Sequence, residues 1–307
     1  MKGNHSHRSC LAFTVLICLI LNGITLPFVW YDATEIHKEN LLQLRSKEIT
    51  VQDLPKDDLQ IFETVADKRN LFTDYNPEKP PVFKLKNDTR IYMKSVGELR
   101  CLIQGTNWTA MALNSSECQC TDDWFGPHCS FPFLMKLSDF NDYEELELRD
   151  NPRRVINAMS FNIELDLLEM RLEEMDVADA FMITESNFTG HGDPKPMYLF
   201  NALKEGRFIE HHHKFIHIFQ DYFPPAARKN GWLADFLPRD IIGSLGIEHQ
   251  ISGLRHDDIL FLTDADEIIL NDVLLFLKLH DGYTEPVCMN LHKTNYGFYW
   301  RVGNGDW

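Results

Sequence analysis

Ile259-Leu-Phe-Leu-Thr263-Asp264-Ala-Asp266-Glu267 is an apolar run that ends on acid. The first five residues read as a short buried strand. Two carboxylates, separated by one residue, then stand at its carboxyl end. Hard oxygen ligands of this kind hold Mg²⁺ or Mn²⁺, and such ions commonly bridge the phosphates of a nucleotide. Asp264 and Asp266 are therefore the candidate metal ligands, and Asp264 a donor-side residue as well. The competing reading is a helix cap or a salt-bridged pair. Glu267 is the next acidic residue in line.

Outward from this segment the chain alternates between short apolar runs and amphipathic stretches. Val155–Phe161, Ala180–Thr184, Phe215–Phe219 and Val287–Leu291 are the other strand candidates. Phe161, Leu165, Leu168, Leu172 and Met175 recur at spacings of four, three, four and three, which makes one buried helical stripe with an acidic outer face. Asn162 is its expected N-cap, with Glu164 in the first turn. Further helices fit Met197–Glu205, Trp232–His249 and Asp272–Leu279. Such alternation predicts an α/β domain over residues 131–307, a mainly parallel sheet with helices on both faces. Ligands of such sheets bind beyond the carboxyl ends of the strands. Glu185 ends the second strand at that edge, where it is either a candidate donor-binding residue accepting hydrogen bonds from a ribose or a solvated loop acid.

Several other features carry less. Gly190-His-Gly192 is a flexible loop, and no phosphate-loop, dinucleotide or serine-nucleophile signature occurs. His211-His-His213 lacks partner spacing for zinc and reads as a polar surface before the third strand. Cys288 reads as a small buried hydrophobe in mid-strand.

The first half of the chain speaks of compartment. Residues 9–31 hold no charged side chain and would span about 34 Å as a helix, enough to cross a bilayer. Lys2 and Arg8 precede the run and Asp32 and Glu35 follow it, so residues 1–8 form a cytosolic tail and the body lies on the far side. A cleaved signal peptide is the alternative, and it leaves the body in the same compartment. Residues 32–100 are charge-rich and contain Asn76-Pro-Glu-Lys-Pro-Pro81, the mark of a stem or linker. Cys101, Cys118, Cys120 and Cys129 cluster beyond it and read as disulfides, with three pairings open. Sequons at Asn87, Asn107, Asn114 and Asn187 agree with that compartment. The net charge of −16 over 307 residues argues against nucleic acid as a partner.

Two resemblances sharpen this reading. Cys118-Gln-Cys120, five residues, Gly126, two residues and Cys129 resemble the C-terminal half of an EGF-like module, which implies Cys120–Cys129 and Cys101–Cys118 as bridges over residues 101–130. Arg153-Arg-Val-Ile-Asn-Ala, Glu185-Ser-Asn-Phe-Thr, Asp221-Tyr-Phe-Pro-Pro, Gly231-Trp-Leu-Ala-Asp, Asp264-Ala-Asp-Glu-Ile and Tyr296-Gly-Phe-Tyr-Trp follow one another in order. Together they resemble glycosyltransferase family 17 over about half of the chain. That resemblance implies a single-pass type II Golgi membrane protein with a nucleotide-diphospho-sugar transferase fold. It implies UDP-GlcNAc as donor, Mn²⁺ (or Mg²⁺) as cofactor, and β-1,4 transfer to the core β-mannose of N-glycans as the reaction. The family's domain continues past the last motif, so acceptor contacts and the catalytic base are expected beyond Trp307, and residues 131–307 read as its N-terminal portion. The inverting transfer that the resemblance implies needs a carboxylate base, for which Glu267 is the nearby candidate, or else a third residue of the metal shell. A transferase of another sugar, or a non-catalytic membrane-anchored binding protein using the EGF-like unit, are the alternatives.

Overall fold

Four short apolar runs form four strands that share one sheet. The computed structural model describes residues 70–111, 116–138 and 143–289. In chain order the strands are β1 (Phe83–Lys84), β2 (Met93–Val96), β3 (Leu99–Leu102), β4 (Trp124–Phe125), β5 (Phe131–Pro132) and β6 (Glu147–Leu148). They continue with β7 (Val155–Phe161), β8 (Ala180–Ser186), β9 (Phe215–Gln220), β10 (Ile251–Ser252), β11 (Ile259–Thr263) and β12 (His280–Asp281). The α-helices are α1 (Leu165–Glu174), α2 (Tyr198–Lys204), α3 (Gly231–Ile241) and α4 (Asn271–Leu279).

The central sheet is wholly parallel, in the order β11-β7-β8-β9. From β7 the chain steps through β8 to β9 and then returns to the other side of β7 as β11. The strand order therefore reverses between β7 and β11, and their carboxyl ends flank a topological switch point. One face of the sheet buries Ile156, Ala158, Ala180, Met182, Ile216 and Ile218 against Leu237 and Ile241 of α3. On the opposite face, α1 reaches Asn157 and Thr263 through Arg171. Helices cover both faces, so each central strand reads as a nearly continuous apolar run.

Two helices depart from the expected outline. The N-cap of α1 is Glu164, not Asn162, because the Glu164 carboxylate accepts the backbone N–H groups of Asn162 and Ile163 and rounds off that corner itself. The expected single helix Trp232–His249 is instead α3 followed by a π-helix, Ile242–Gln250. Asn230 caps α3 by accepting the Trp232 N–H. Pro238 has no N–H to offer inside α3, and the wider turns begin four residues later. Within them Gly246 lies so close to the sheet that a Cβ would meet Ile218 and Met182 at 2.6 Å.

Residues 70–100 are built into the body rather than forming a stem. Phe72 is buried edge-on to His212, β1 pairs in parallel with β10, and Leu85 joins the core beneath the sheet. Phe72, Phe83 and Leu85 anchor this charge-rich stretch, and Asp88 and Arg90 within it are ion-paired. Residues 32–69 and the segment Ser9–Tyr31 lie outside the described residues. Among the described residues no helix is long and apolar enough to cross a membrane.

The cysteine-rich segment holds two hairpins, β2–β3 and β4–β5, and two disulfides, Cys101–Cys118 and Cys120–Cys129. It packs on α4 and the turn after it. Phe131 meets the rings of Phe276 and His280, and Gln104 donates to Asp272. The expected strand at Val287–Leu291 is absent from its described part: Val287–Met289 pairs with no strand and Val287 is exposed. Cys288 is exposed and disulfide-bonded, not a buried thiol.

Candidate functional site

At the switch point β11 ends with Thr263 opposite Met159 of β7, and the chain turns at once. The turn clips itself shut. The Glu267 N–H donates to the Asp264 carbonyl at 3.1 Å, and the Asp264 N–H donates to the Glu267 carboxylate at 2.9 Å. Beneath it lies Arg171, wholly buried on α1. One terminal nitrogen donates to the carbonyls of Asp264, Ala265 and Glu267 at 2.6, 3.2 and 2.6 Å. The other donates to Asn157 Oδ1 and Thr263 Oγ1 at 2.9 and 2.8 Å. Burial pushes this guanidinium down to about 10, against the opposing charges of Glu267, Asp266 and Asp264. A buried cation thus holds the backbone of the acidic turn and leaves its side chains to solvent.

Those side chains are accessible. Asp264 is 48% exposed, and Asp266 is exposed. The Asp264 carboxylate is met by the guanidinium of Arg239, from the last turn of α3, in a short ion pair. The same guanidinium pairs with Asp235 at 2.8 Å, one turn earlier.

The other expected site residues lie elsewhere or serve the turn. Glu185 is fully buried: its oxygens accept the N–H groups of Leu199 and Phe200 at 2.7 and 2.9 Å, and His217 Nε2 stands 3.0 Å away. With both oxygens engaged inside the protein, it holds the start of α2 and is not offered to a ribose. Glu267 spends its carboxylate on the Asp264 N–H, so within this turn it is a clamp rather than a free base. Of the three histidines, His212 is buried, with Nε2 at 2.8 Å from the Arg207 carbonyl, which corrects the expected polar surface there. Asn87 and Asn107 are exposed, Asn187 is half-buried with its amide oxygen enclosed, and Asn114 lies outside the described residues.

The glycosyltransferase family 17 model matches residues 135–307, more than half of the chain. The chain belongs to glycosyltransferase family 17. Its matched relatives include the rat protein named β-1,4-mannosyl-glycoprotein 4-β-N-acetylglucosaminyltransferase, 44% identical over 186 residues, which are 60% of this chain and 34% of that protein. The human protein of the same name is also 44% identical, over 60% of this chain and 35% of its own length. This chain thus spans about a third of the length of these curated relatives. No solved structure matches it.

Among the described residues no three His, Cys, Asp or Glu side chains gather as a metal-binding group. Two carboxylates completed by phosphate and water oxygens nevertheless suit Mg²⁺ or Mn²⁺. The Asp264 carboxylate already holds one cation, the Arg239 guanidinium, so the site's chemistry fits a positive group at that point. Arg171 and Arg239 went unnoticed in the sequence. Arg171 had a signal: it sits three residues after Leu168 and four before Met175, inside the apolar stripe of α1. Arg239 had none, since only the fold brings α3 to the end of β11.

Proposed function

We propose that this chain forms the donor-binding part of an N-acetylglucosaminyltransferase that moves GlcNAc from UDP-GlcNAc to the core β-mannose of N-glycans, in the β-1,4 linkage its relatives' name describes. The observation that carries this reading is a two-carboxylate turn, Asp264 and Asp266, at the switch point of a parallel sheet in a family 17 chain. Asp264 and Asp266 would hold Mn²⁺ or Mg²⁺, whose chemistry is Lewis-acid stabilisation of the departing diphosphate. Arg171 and the Glu267 carboxylate keep the turn rigid, so the acidic side chains need no rearrangement of backbone to act. An inverting transfer also needs a carboxylate to deprotonate the acceptor hydroxyl. Glu267 is engaged with its own turn, which favours a base from elsewhere in the full domain.

The same reading puts the body in the Golgi lumen behind an N-terminal anchor at Ser9–Tyr31. Support comes from the uncharged run with its flanking charges, the two disulfides and the exposed sequons Asn87 and Asn107. The segment 101–130 is then an EGF-like element fused to the transferase body.

The test is transfer from UDP-GlcNAc by the full-length protein with Mn²⁺ titrated. Asp264→Ala or Asp266→Ala should lower kcat by about a hundredfold or more, the scale for losing a preorganised electrostatic partner. The melting temperature should stay within about 2 °C, since exposed carboxylates leave no cavity. Turnover near wild type in either variant would remove the pair from the reaction.

A further inference from the structure

We infer that Arg239 is a latch: it neutralises Asp264 while the site is free of donor and passes to the donor's diphosphate when nucleotide and divalent cation bind. The inference rests on the donor-site reading above and extends it to a residue outside the acidic turn.

Three observations carry it. First, Arg239 is the one cation that the described residues bring to the Asp264 side chain, and it sits on the carboxylate that a metal would need. Arg239 holds one oxygen of that carboxylate, and a guanidinium and a divalent ion there share a single negative charge and repel each other, so each weakens the other's hold. Secondly, the two ends of the pair differ in freedom. Arg239 is largely buried, whereas Asp264 is half-exposed and faces the open carboxyl edge. Released from Asp264, the guanidinium remains tethered by Asp235, through its carboxylate at 2.8 Å and its carbonyl at 2.6 Å, and stays at the site. Thirdly, a planar guanidinium suits a phosphate pair as well as a carboxylate, because its parallel N–H groups match both. A diphosphate entering between the acidic turn and α3 offers Arg239 a partner of higher charge than Asp264. The exchange frees Asp264 as the phosphates arrive, which couples cation binding to nucleotide binding.

The contrast with Arg171 gives the inference its edge. Arg171 binds only backbone carbonyls and neutral side chains around the turn, so nothing in a donor would draw it away. Arg239 binds the carboxylate itself.

The experiment measures binding rather than turnover, on the full chain: free Mn²⁺ by electron paramagnetic resonance, with and without saturating UDP, for wild type and Arg239→Gln. Without UDP, the variant should bind Mn²⁺ more tightly by about fivefold or more, the low end of ordinary coupling factors. With UDP, the two proteins should differ little, because wild-type Arg239 has by then left Asp264. UDP affinity in Mn²⁺ should fall in the variant. A gain in Mn²⁺ affinity equal with and without UDP would reduce Arg239 to a generic positive charge and overturn the latch, as would no gain at all. Wild type that binds neither Mn²⁺ nor UDP would overturn the donor-site reading and the latch with it. Arg239→Lys covers the case in which the glutamine variant does not fold. A lysine cannot bridge Asp235 and Asp264 as a fork, so it should shift Mn²⁺ affinity the same way by a smaller factor.

Discussion

The two ends of the central sheet carry charge in opposite ways. At the amino end, the residues just before three strands are Arg154, Asp179 and Asp258, and all are buried or nearly so. Arg154 forks onto Asp258 at 2.7 and 2.5 Å and also donates to the carbonyls of Leu85 and Gly253. Lys278, with no exposure at all, sits between Asp88 at 2.6 Å and Asp179 at 2.5 Å, and Arg90 and Tyr92 complete the group. At the carboxyl end, Asp264 and Asp266 face solvent, and the cation beside Asp264 is held by one edge. Buried charges that saturate one another fix a structure and have nothing left to give a ligand. Half-exposed carboxylates on a rigid turn contribute little to stability and keep their capacity to bind. The difference separates charge that builds the fold from charge available for chemistry.

The sharpest way to break this comparison is at Lys278. Lys278→Met removes the fully buried cation between Asp88 and Asp179 and leaves them only the partly exposed Arg90. The cost should be about 3–5 kcal/mol, the range for breaking a buried pair by removing one partner. Burial alone would raise the Asp88 carboxyl, but the bonds from Arg90 and the charge of Lys278 hold it well below the usual carboxylate range. A carboxylate so depressed stabilises the fold above its unfolded value near 4, and that stability is lost as pH falls toward its folded value. Chemical denaturation at neutral pH checks the magnitude. A cost under about 1 kcal/mol would mean that the amino end is no more built than the carboxyl end.

Arg171 sharpens the comparison from the other side, as a buried charge serving the open end. Arg171→Met strips donors from the carbonyls of Asp264 and Glu267 and should cost about 2–3 kcal/mol, the scale for buried groups left unsatisfied. Arg171→Lys keeps the charge but cannot serve three carbonyls, Asn157 and Thr263 together. If the full-length protein carries out the proposed transfer, the variant should lower kcat more than it raises the donor KM, because the acidic turn loses alignment rather than charge. A raised donor KM with kcat unchanged would make Arg171 a support for binding alone.

The sequence carried the sheet further than it carried the site. Four of the five strand expectations coincide with β7, β8, β9 and β11 to within two residues, because buried parallel strands advertise themselves as apolar runs. The acidic end of β11 was legible for the same reason. Glu185 misled because strand position alone does not say whether a carboxylate points to solvent or to a neighbouring helix start. Residues 70–100 misled because composition reports average polarity, whereas Phe72, Phe83 and Leu85 act singly. Arg239 was illegible, since its contact with Asp264 spans 25 residues and a change from α- to π-helix. No local rule anticipates such a contact.

The smallest expected effect concerns His280, which belongs with the buried charges beside Lys278 yet carries none itself. Its ring is 1% exposed and stacks on Phe276 at 4.9 Å. Nδ1 lies 2.9 Å from the Phe276 carbonyl and Nε2 lies 2.9 Å from Ser130 Oγ. A carbonyl can only accept, so Nδ1 carries the proton, and neutral Nε2 accepts from the Ser130 hydroxyl. Burial pushes the imidazole down to about 4, with His128 adding to the effect, while the Phe276 carbonyl and Asp281 oppose it. Unfolded, the same histidine titrates near 6.5. Between these values the unfolded chain binds the proton and the folded chain does not, so stability falls as pH drops from about 6.5 toward 4. From pH 7 to pH 5.5 the loss assigned to this one group is about 1 kcal/mol. His211, His212 and His213, which burial also pushes down, contribute to the whole-protein slope, so the measurement is a difference: stability at both pH values for wild type and for His280→Gln. Glutamine can keep polar contact with Ser130 but does not titrate, and the variant should lose about 1 kcal/mol less on acidification. An identical acid response in the two proteins would mean that His280 takes up its proton in place, and that the junction with the cysteine-rich segment accommodates charge as the carboxyl end of the sheet does.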